Sequence, residues 1–425
     1  MAGMPEGRGV AGRKLEWLYP GIGIKRWVLL AVGGVLLLLY SLLLLAGVLG
    51  SDDLLSGLGQ GWLVDKTVAG VLFAIDGAVA GAVMLVVGAR RVWRFLRTNP
   101  EPASEIRAAG RLARGPRVVA VGGGHGLAAL LRGLKAYTSN LTAVVTMADD
   151  GGSSGLLRRD MGMPPPGDLR DCLVALADDE SLMSQLFQYR FPDGGLQGHS
   201  FGNLFMAALT EVTGDFELAV AESTQVLKVR GRVLPSTADD VVLHAQMVDG
   251  GRVSGQSTIT AAEHLPLRVW LTPEKPRPVP QAVTALARAE LIVLGPGSLY
   301  TSIIPNLLIP EVRQALADSR AQVVYVCNVM TQPGETDGYT AADHLDALYR
   351  HGVEGLVDLV IVDDSHLAPD LLAGYERLGA RPVPVDDDRL RRMGVKVVRA
   401  PVAAQSDVVR HDPERLAQAL VRVLR

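Results

Sequence analysis

The chain has 425 residues, 48% of them hydrophobic, and a formal net charge of -3. A chain of this length can bury a large core and still carry more than one segment. A charge so near zero excludes the broad positive field that draws proteins to nucleic acid. Its two cysteines, Cys172 and Cys327, exclude a disulfide framework and a cysteine metal cluster, and they suit a reducing cytoplasm.

Residues 1–26 are polar and carry Arg8, Arg13, Lys14, Lys25 and Arg26; residues 27–49 are then apolar and uncharged. A second apolar run, 68–88, is interrupted only by Asp76. At ~1.5 Å per residue, each run is long enough to cross a hydrocarbon core ~30 Å thick. The connection between them holds Asp52, Asp53 and Asp65, whereas Arg90, Arg91, Arg94 and Arg97 follow the second run. The positive-inside tendency predicts a transmembrane hairpin over 27–88, multi-pass in the cell membrane, with both ends and the main domain cytoplasmic. A cleaved signal peptide fits less well, because the first run is too long and a second span follows it.

Asp76 within a span would cost ~2.5–3.5 kcal/mol, so it is expected to face the other helix, a second copy or local water. The Gly77-x-x-x-Gly81 spacing beside it favours close helix approach, read as self-packing of the hairpin rather than a dimer signal. Two spans with one carboxylate argue against transport. Residues 89–115 form a charged linker with Pro100, Pro102 and Gly110, and a short helix is expected near 104–114.

The soluble domain is expected over 116–425. It opens with a buried strand, RVVAV, a glycine run from Gly122 through Gly123, Gly124, His125 and Gly126, and a helix over 127–135. Glycines at a strand end admit positive φ and leave backbone N–H groups open to phosphate. A second strand, LTAVVTM, runs into Asp149, Asp150, Gly151, Gly152, Ser153 and Ser154. This βαβ unit brings both strand ends to one edge of a parallel sheet, where ligands bind. Leu127 stands where a dinucleotide fingerprint needs its third glycine, so a nicotinamide reading is weak. Paired Asp-Gly steps also form plain turns.

The prolines 164–166 place the next helix after them, over 169–176, with Asp168 as its N-cap. Arg170 there is either a phosphate ligand or a surface salt bridge. Helices are expected over 182–189 and 204–213. His199, Ser200 and Asn203 open the latter and suggest an anion site, with Asn203 donating to a phosphoryl or ribose oxygen.

A helix over 216–227 precedes VVLHAQMVDGGRVSGQSTIT, whose alternation and Gly-Gly turn predict a β-hairpin insertion, either a lid or a dimer arm; RVWLTP adds a strand. The strand LIVLGPG leads into Gly297, Ser298, Tyr300 and Thr301, and QVVYVCNV ends in Asn328 before a polar loop holding Tyr339. LVIV, RPVPV and VKVVRAPV read as further strands. Helices are expected over 282–289, 305–317, 341–351 and 368–378, and Asp412-Pro413 starts the last. The alternation predicts an α/β domain built on a mostly parallel sheet.

GGGHGLAALLRGLK, TMADDGGSSGLLR, PPPGDLRDCLVAL, GHSFGNL, LGPGSLYTSIIPNLLIP and NVMTQPGETDGYTAADHL together resemble the gluconeogenesis-factor (YvcK-like) family. That family belongs to the larger CofD-like group, whose founding members are 2-phospho-L-lactate transferases. The likeness covers about residues 116–425, and the membrane hairpin lies outside it. It implies a three-layer α/β/α, Rossmann-like, doubly wound domain, dimeric, that binds a UDP-sugar such as UDP-N-acetylglucosamine. It also implies a role in cell shape and cell-wall synthesis during gluconeogenic growth, with no settled catalytic activity. In the transferase branch a divalent metal such as Mg²⁺ is held by aspartate, and Asp149 and Asp150 match that motif. Tyr339 matches a position of UDP-sugar contact. His125 and His199 are the possible proton-transfer groups in a transferase reading, although His125 also serves as a turn residue.

Overall fold

The computed structural model describes residues 25–49, 61–98, 110–177, 182–405 and 409–424. The polar segment 1–24, most of the connection between the apolar runs and most of the expected 104–114 helix lie outside the described residues. The chain forms two compact units, Met1–Arg111 and Leu112–Arg425.

In the first unit, α1 (Lys25–Leu49) packs along α2 (Gly61–Thr98). The second helix runs ten residues past the expected end of its apolar stretch. The seam is made of small residues. A Cβ on Gly34 would come 2.6 Å from the Gly81 carbonyl oxygen, and one on Gly81 would come 2.8 Å from that of Gly34. Gly81 thus packs within the hairpin. Asp76 is exposed, and so are Leu29, Leu43 and Phe73.

The second unit is built on seven parallel strands. They are β1 (Val118–Gly122), β2 (Leu141–Val145), β3 (Arg232–Pro235), β7 (Leu291–Leu294), β8 (Gln322–Val326), β9 (Leu359–Asp363) and β10 (Lys396–Ala400), in the order β10-β9-β8-β7-β1-β2-β3. β1, β2 and β7 are buried at every position, as expected for strands covered on both faces. The order runs outward from β1 in both directions. Right-handed crossovers therefore put the helices that follow β1 and those that follow β7 on opposite faces. On one side, α3 (Gly124–Leu134) packs against α5 (Gly167–Leu176) and α16 (Pro413–Val423). Elsewhere, α10 (Pro280–Arg288) packs on α12 (Pro310–Ala317). Cys172 and Cys327 are both buried.

Between β3 and β7 the chain forms a separate antiparallel sheet, with β4 (Val242–Met247) flanked by β5 (Arg252–Ser254) and β6 (Pro266–Thr272). The expected β-hairpin insertion is present, but its second arm is cut short. Gly255 has φ +96, and α9 (Gln256–Thr260) follows where a strand was expected. RPVPV is not a strand. It makes only an isolated bridge, Met330 to Pro382, because its prolines cannot donate to a ladder.

Candidate functional site

Strand order reverses between β1 and β7, and this is where an open α/β sheet parts at its carboxyl edge to admit a ligand. The loops after these two strands form the walls. Gly295 donates its N–H to Val121 O at 2.9 Å, continuing the β1–β7 pairing. α3 starts at Gly124, with φ +65. A Cβ on Gly126 would lie 2.6 Å from the Pro296 carbonyl oxygen, and one on Gly123 would lie 2.8 Å from the Thr146 Cγ2 and closer still to the Asp168 carboxylate. Glycine is needed at both positions because backbone and side chains crowd in. The same crowding narrows the floor of the cleft.

Two carboxylates close one side. Asp168 is not the expected N-cap, because Pro166 takes that place and the helix begins at Gly167. Its side chain instead lines the cavity beside the glycine loop. Burial, then the charges of Asp149 and Asp171, push its pKa up to about 7, against a hydrogen bond from the Gly124 N–H. Burial also raises the pKa of Asp149, which accepts from the Gly151 N–H at 3.0 Å. Asp150 points elsewhere and accepts from the Ser257 N–H at 2.8 Å, fastening α9 to the end of β2. The inward pair is therefore Asp149 and Asp168, not the adjacent Asp149 and Asp150. Ser154 supports it by accepting from the Gly167 N–H at 3.1 Å.

Arg170 is a buried organiser rather than a free phosphate ligand or a surface salt bridge. It donates to Ser200 Oγ at 2.6 Å, Asn203 Oδ1 at 3.1 Å and Asp171 Oδ1 at 2.7 Å. Ser200 caps α7 (Phe201–Thr213), which begins three residues earlier than expected, so Asn203 lies in its first turn. Asn203 Nδ2 donates to Ser153 Oγ at 3.2 Å, and Ser153 pairs with His199 Nδ1 at 3.1 Å. Arg170, Ser200, Asn203, Ser153 and His199 thus form one network behind the Asp149 loop. Gly152 sits at the start of α4 (Gly152–Met161) with φ +46. His125 is exposed, with Nε2 3.9 Å from Asp171 Oδ2.

On the other wall, Asn328 Nδ2 donates to Gly297 O at 2.9 Å, and Ser298 Oγ donates to Gln332 Oε1 at 2.7 Å. Asn306 is fully buried and donates to Ser302 O at 2.8 Å and Gly122 O at 3.2 Å, tying the two walls together. Glu335, also fully buried, accepts from Thr301 Oγ1 at 2.5 Å and from the Tyr300 N–H at 3.3 Å. Burial pushes its pKa up to about 7. Tyr300 and Tyr339 pair through their hydroxyls at 2.9 Å, and neither lines the two cavities at the switch point. Tyr339, expected to contact the ligand, is instead hydrogen-bonded to Tyr300. No local sequence pattern marks Glu335 or Asn306; only the fold brings them to Thr301 and Gly122.

Two cavities meet at the switch point. One, of about 290 Å³, is lined by Gly123 to Gly126, Thr146, Asp149, Asp168, Gln256, Ser298, Thr301 and Ser302. The other, of about 280 Å³ on the β8 side, adds Asn328, Met330, Gln332 and Arg410. His125, Gly126, Gly297 and Ser298 line both. Among the described residues, no group of three His, Cys, Asp or Glu side chains is placed to hold a metal.

Fold and cleft together define a Rossmann-like α/β protein whose candidate ligand site lies at the β1/β7 switch point. The family model described as 2-phospho-L-lactate transferase CofD matches residues 118–403. A putative gluconeogenesis factor from Nostoc is 45% identical over 96% of this chain and 92% of its own. The gluconeogenesis factor of Bacillus subtilis is 49% identical over 73% of this chain and 98% of its own. A crystal structure of a Bacillus halodurans protein is 47% identical, with a TM-score of 0.71, covering 72% of this chain and 99% of that one. The chain belongs to the CofD family, among the gluconeogenesis factors.

Proposed function

We propose that this chain is a membrane-tethered gluconeogenesis factor that binds a UDP-sugar, such as UDP-N-acetylglucosamine, and regulates cell shape and cell-wall synthesis during gluconeogenic growth. The observation that carries the binding reading is the pair of cavities sharing Gly126, Gly297 and Ser298. A diphosphate over the shared loops would accept from backbone N–H groups, while the nucleoside and the sugar occupy one cavity each. Arg410 on the β8 side supplies charge for a phosphate or a base edge. Two helices long and apolar enough to cross a membrane support the tether, and the basic residues flanking their outer ends favour a cytoplasmic α/β domain. A homodimer fits the same reading.

The test is calorimetry on the detergent-solubilised full chain. UDP-N-acetylglucosamine should bind, and Asp149→Asn should weaken it. Absence of binding to any UDP-sugar would reject the reading.

One observation favours a second reading, a Mg²⁺-dependent transferase. Asp149 and Asp168 are two recessed carboxylates beside a phosphate-type loop, which suits a hard cation that takes one or two carboxylates and completes its shell with water and phosphate oxygens. Bound there, Mg²⁺ would offset charge on transferring phosphates. Incubation of the full chain with UDP-N-acetylglucosamine and Mg²⁺ separates the two: intact ligand supports the regulator, and a transferred phosphoryl-linked group supports the enzyme.

A further inference from the structure

We propose that the amino edge of the parallel sheet, opposite the cleft, carries a second ligand site that takes a phosphate-bearing group. The parallel strands begin at this edge, where a groove of about 450 Å³ is lined by Arg117, Ser139, Asn140, Arg232, Thr284 and Arg288. It is larger than either cavity at the switch point.

Three arginines line this groove, and among the described residues a single carboxylate pairs with one of them. Arg117 Nε lies 3.5 Å from Glu290 Oε2. Arg232 Nη2 donates to Thr142 Oγ1 at 3.3 Å, a neutral partner. Arg288 makes no ion pair among the described residues. The side chain of Asn140 is already used, donating to the carbonyls of Ala113 at 3.0 Å and Gly115 at 2.7 Å. Thr284 likewise donates to Pro280 O at 2.9 Å. Among these polar side chains, the donors not used by the bonds just described are the remaining guanidinium N–H groups and the Ser139 hydroxyl.

Scattered surface arginines would be ordinary solvated charge. Here the backbone builds a concavity beneath them. Gly231, with φ +115, sits so close to β2 that a Cβ would lie 2.5 Å from Leu141 O, which brings Arg232 to the groove wall. Forked guanidiniums lining a concavity suit a phosphate, whose oxygens accept two parallel hydrogen bonds from an arginine.

Two sources share this chemistry, an anionic lipid headgroup and a soluble phosphoester. The first residues of this unit are bound at the groove rim, where Ser139 donates its N–H to Leu112 O at 3.0 Å. The groove and the cleft thus use opposite edges of the sheet, and occupying one leaves the other open.

The experiment uses the full chain and reads hydrogen exchange over residues 139–142 and 230–232. In one arm the chain sits in nanodiscs of phosphatidylcholine, with or without phosphatidylglycerol. In the other it is detergent-solubilised and titrated with glycerol 1-phosphate. Protection in phosphatidylglycerol discs supports the site and names the lipid source. Protection by glycerol 1-phosphate alone supports the site and names a soluble source. The variant carrying Arg232→Glu and Arg288→Glu should weaken the response roughly tenfold, with melting temperature and UDP-sugar binding at the other edge unchanged. No protection from either probe, or equal protection in the double variant, overturns the proposal.

Discussion

Gly126 lies against the Pro296 carbonyl so closely that a Cβ would come 2.6 Å from its oxygen. This approach joins the first turn of α3 to the loop after β7 and sets the width of the cleft where its two cavities meet. An alanine here must push against backbone, which cannot swing aside as a long side chain can. Gly126→Ala is expected to cost roughly 1–3 kcal/mol of stability and to abolish UDP-sugar binding. A denaturation curve and calorimetry on the same sample check both, and a variant that binds normally would show that the approach does not shape the site.

Arg170 should behave as a scaffold. Its fork reaches Ser200, Asn203 and Asp171 at once, and a lysine ammonium cannot span all three. Arg170→Met leaves Asp171 without its partner, and the loss is expected to be roughly 3 kcal/mol. Arg170→Lys should recover only part of it. If Arg170 gripped ligand phosphate directly, either variant would lose affinity while keeping its melting temperature, and that outcome would contradict the network.

Asp168 and Glu335 give the apo domain an unusual pH profile. Both have folded pKa values of about 7, above the ordinary 3.8 and 4.5. Between the ordinary and raised values the folded state holds protons that the unfolded chain has released. Stability contributed by these groups is therefore greatest at acid pH, falls as pH rises from about 4 to 7, and stays low above that. Asp168→Asn and Glu335→Gln should each flatten the fall in melting temperature. Glutamine at 335 can still accept from the Tyr300 N–H and donate to Thr301. A profile unchanged in both variants would place the protons elsewhere.

The hairpin seam makes its own prediction. Gly34 and Gly81 abut through backbone, so Gly81→Leu should force α1 and α2 apart. Cysteine pairs placed along α1 and α2 would cross-link in the parent chain and fail in the variant. A reporter fused near Asp52 should be external, and a cytoplasmic signal there would reverse the expected topology.

Much of this fold was legible in the chain itself. VVAV and LIVL are apolar throughout, and LTAVV is apolar but for the buried Thr142, as strands covered on both faces must be, and each ends in glycine, aspartate or hydroxyl residues. The two apolar runs of the hairpin were equally plain, since length and the absence of charge carry that signal. Pattern and structure part where prolines and loops carry the chain. RPVPV alternates like a strand yet cannot donate along a ladder, and Gly255 turned an expected strand into a short helix.

What the sequence determined by itself is the edge: hydrophobic runs place the strands, and the polar residues after each run must gather where the strands end. What only the tertiary structure decided is which of those side chains face the ligand. Asp149 and Asp150 are neighbours in the chain, but one lies beside Asp168 while the other is held by the Ser257 N–H, 107 residues further on. Tyr339 and Glu335 are likewise claimed by Tyr300 and Thr301. The physical reason is that strand direction follows from local hydrophobic pattern, whereas the direction of a loop side chain is set by whichever distant donor or acceptor the fold brings within hydrogen-bonding reach.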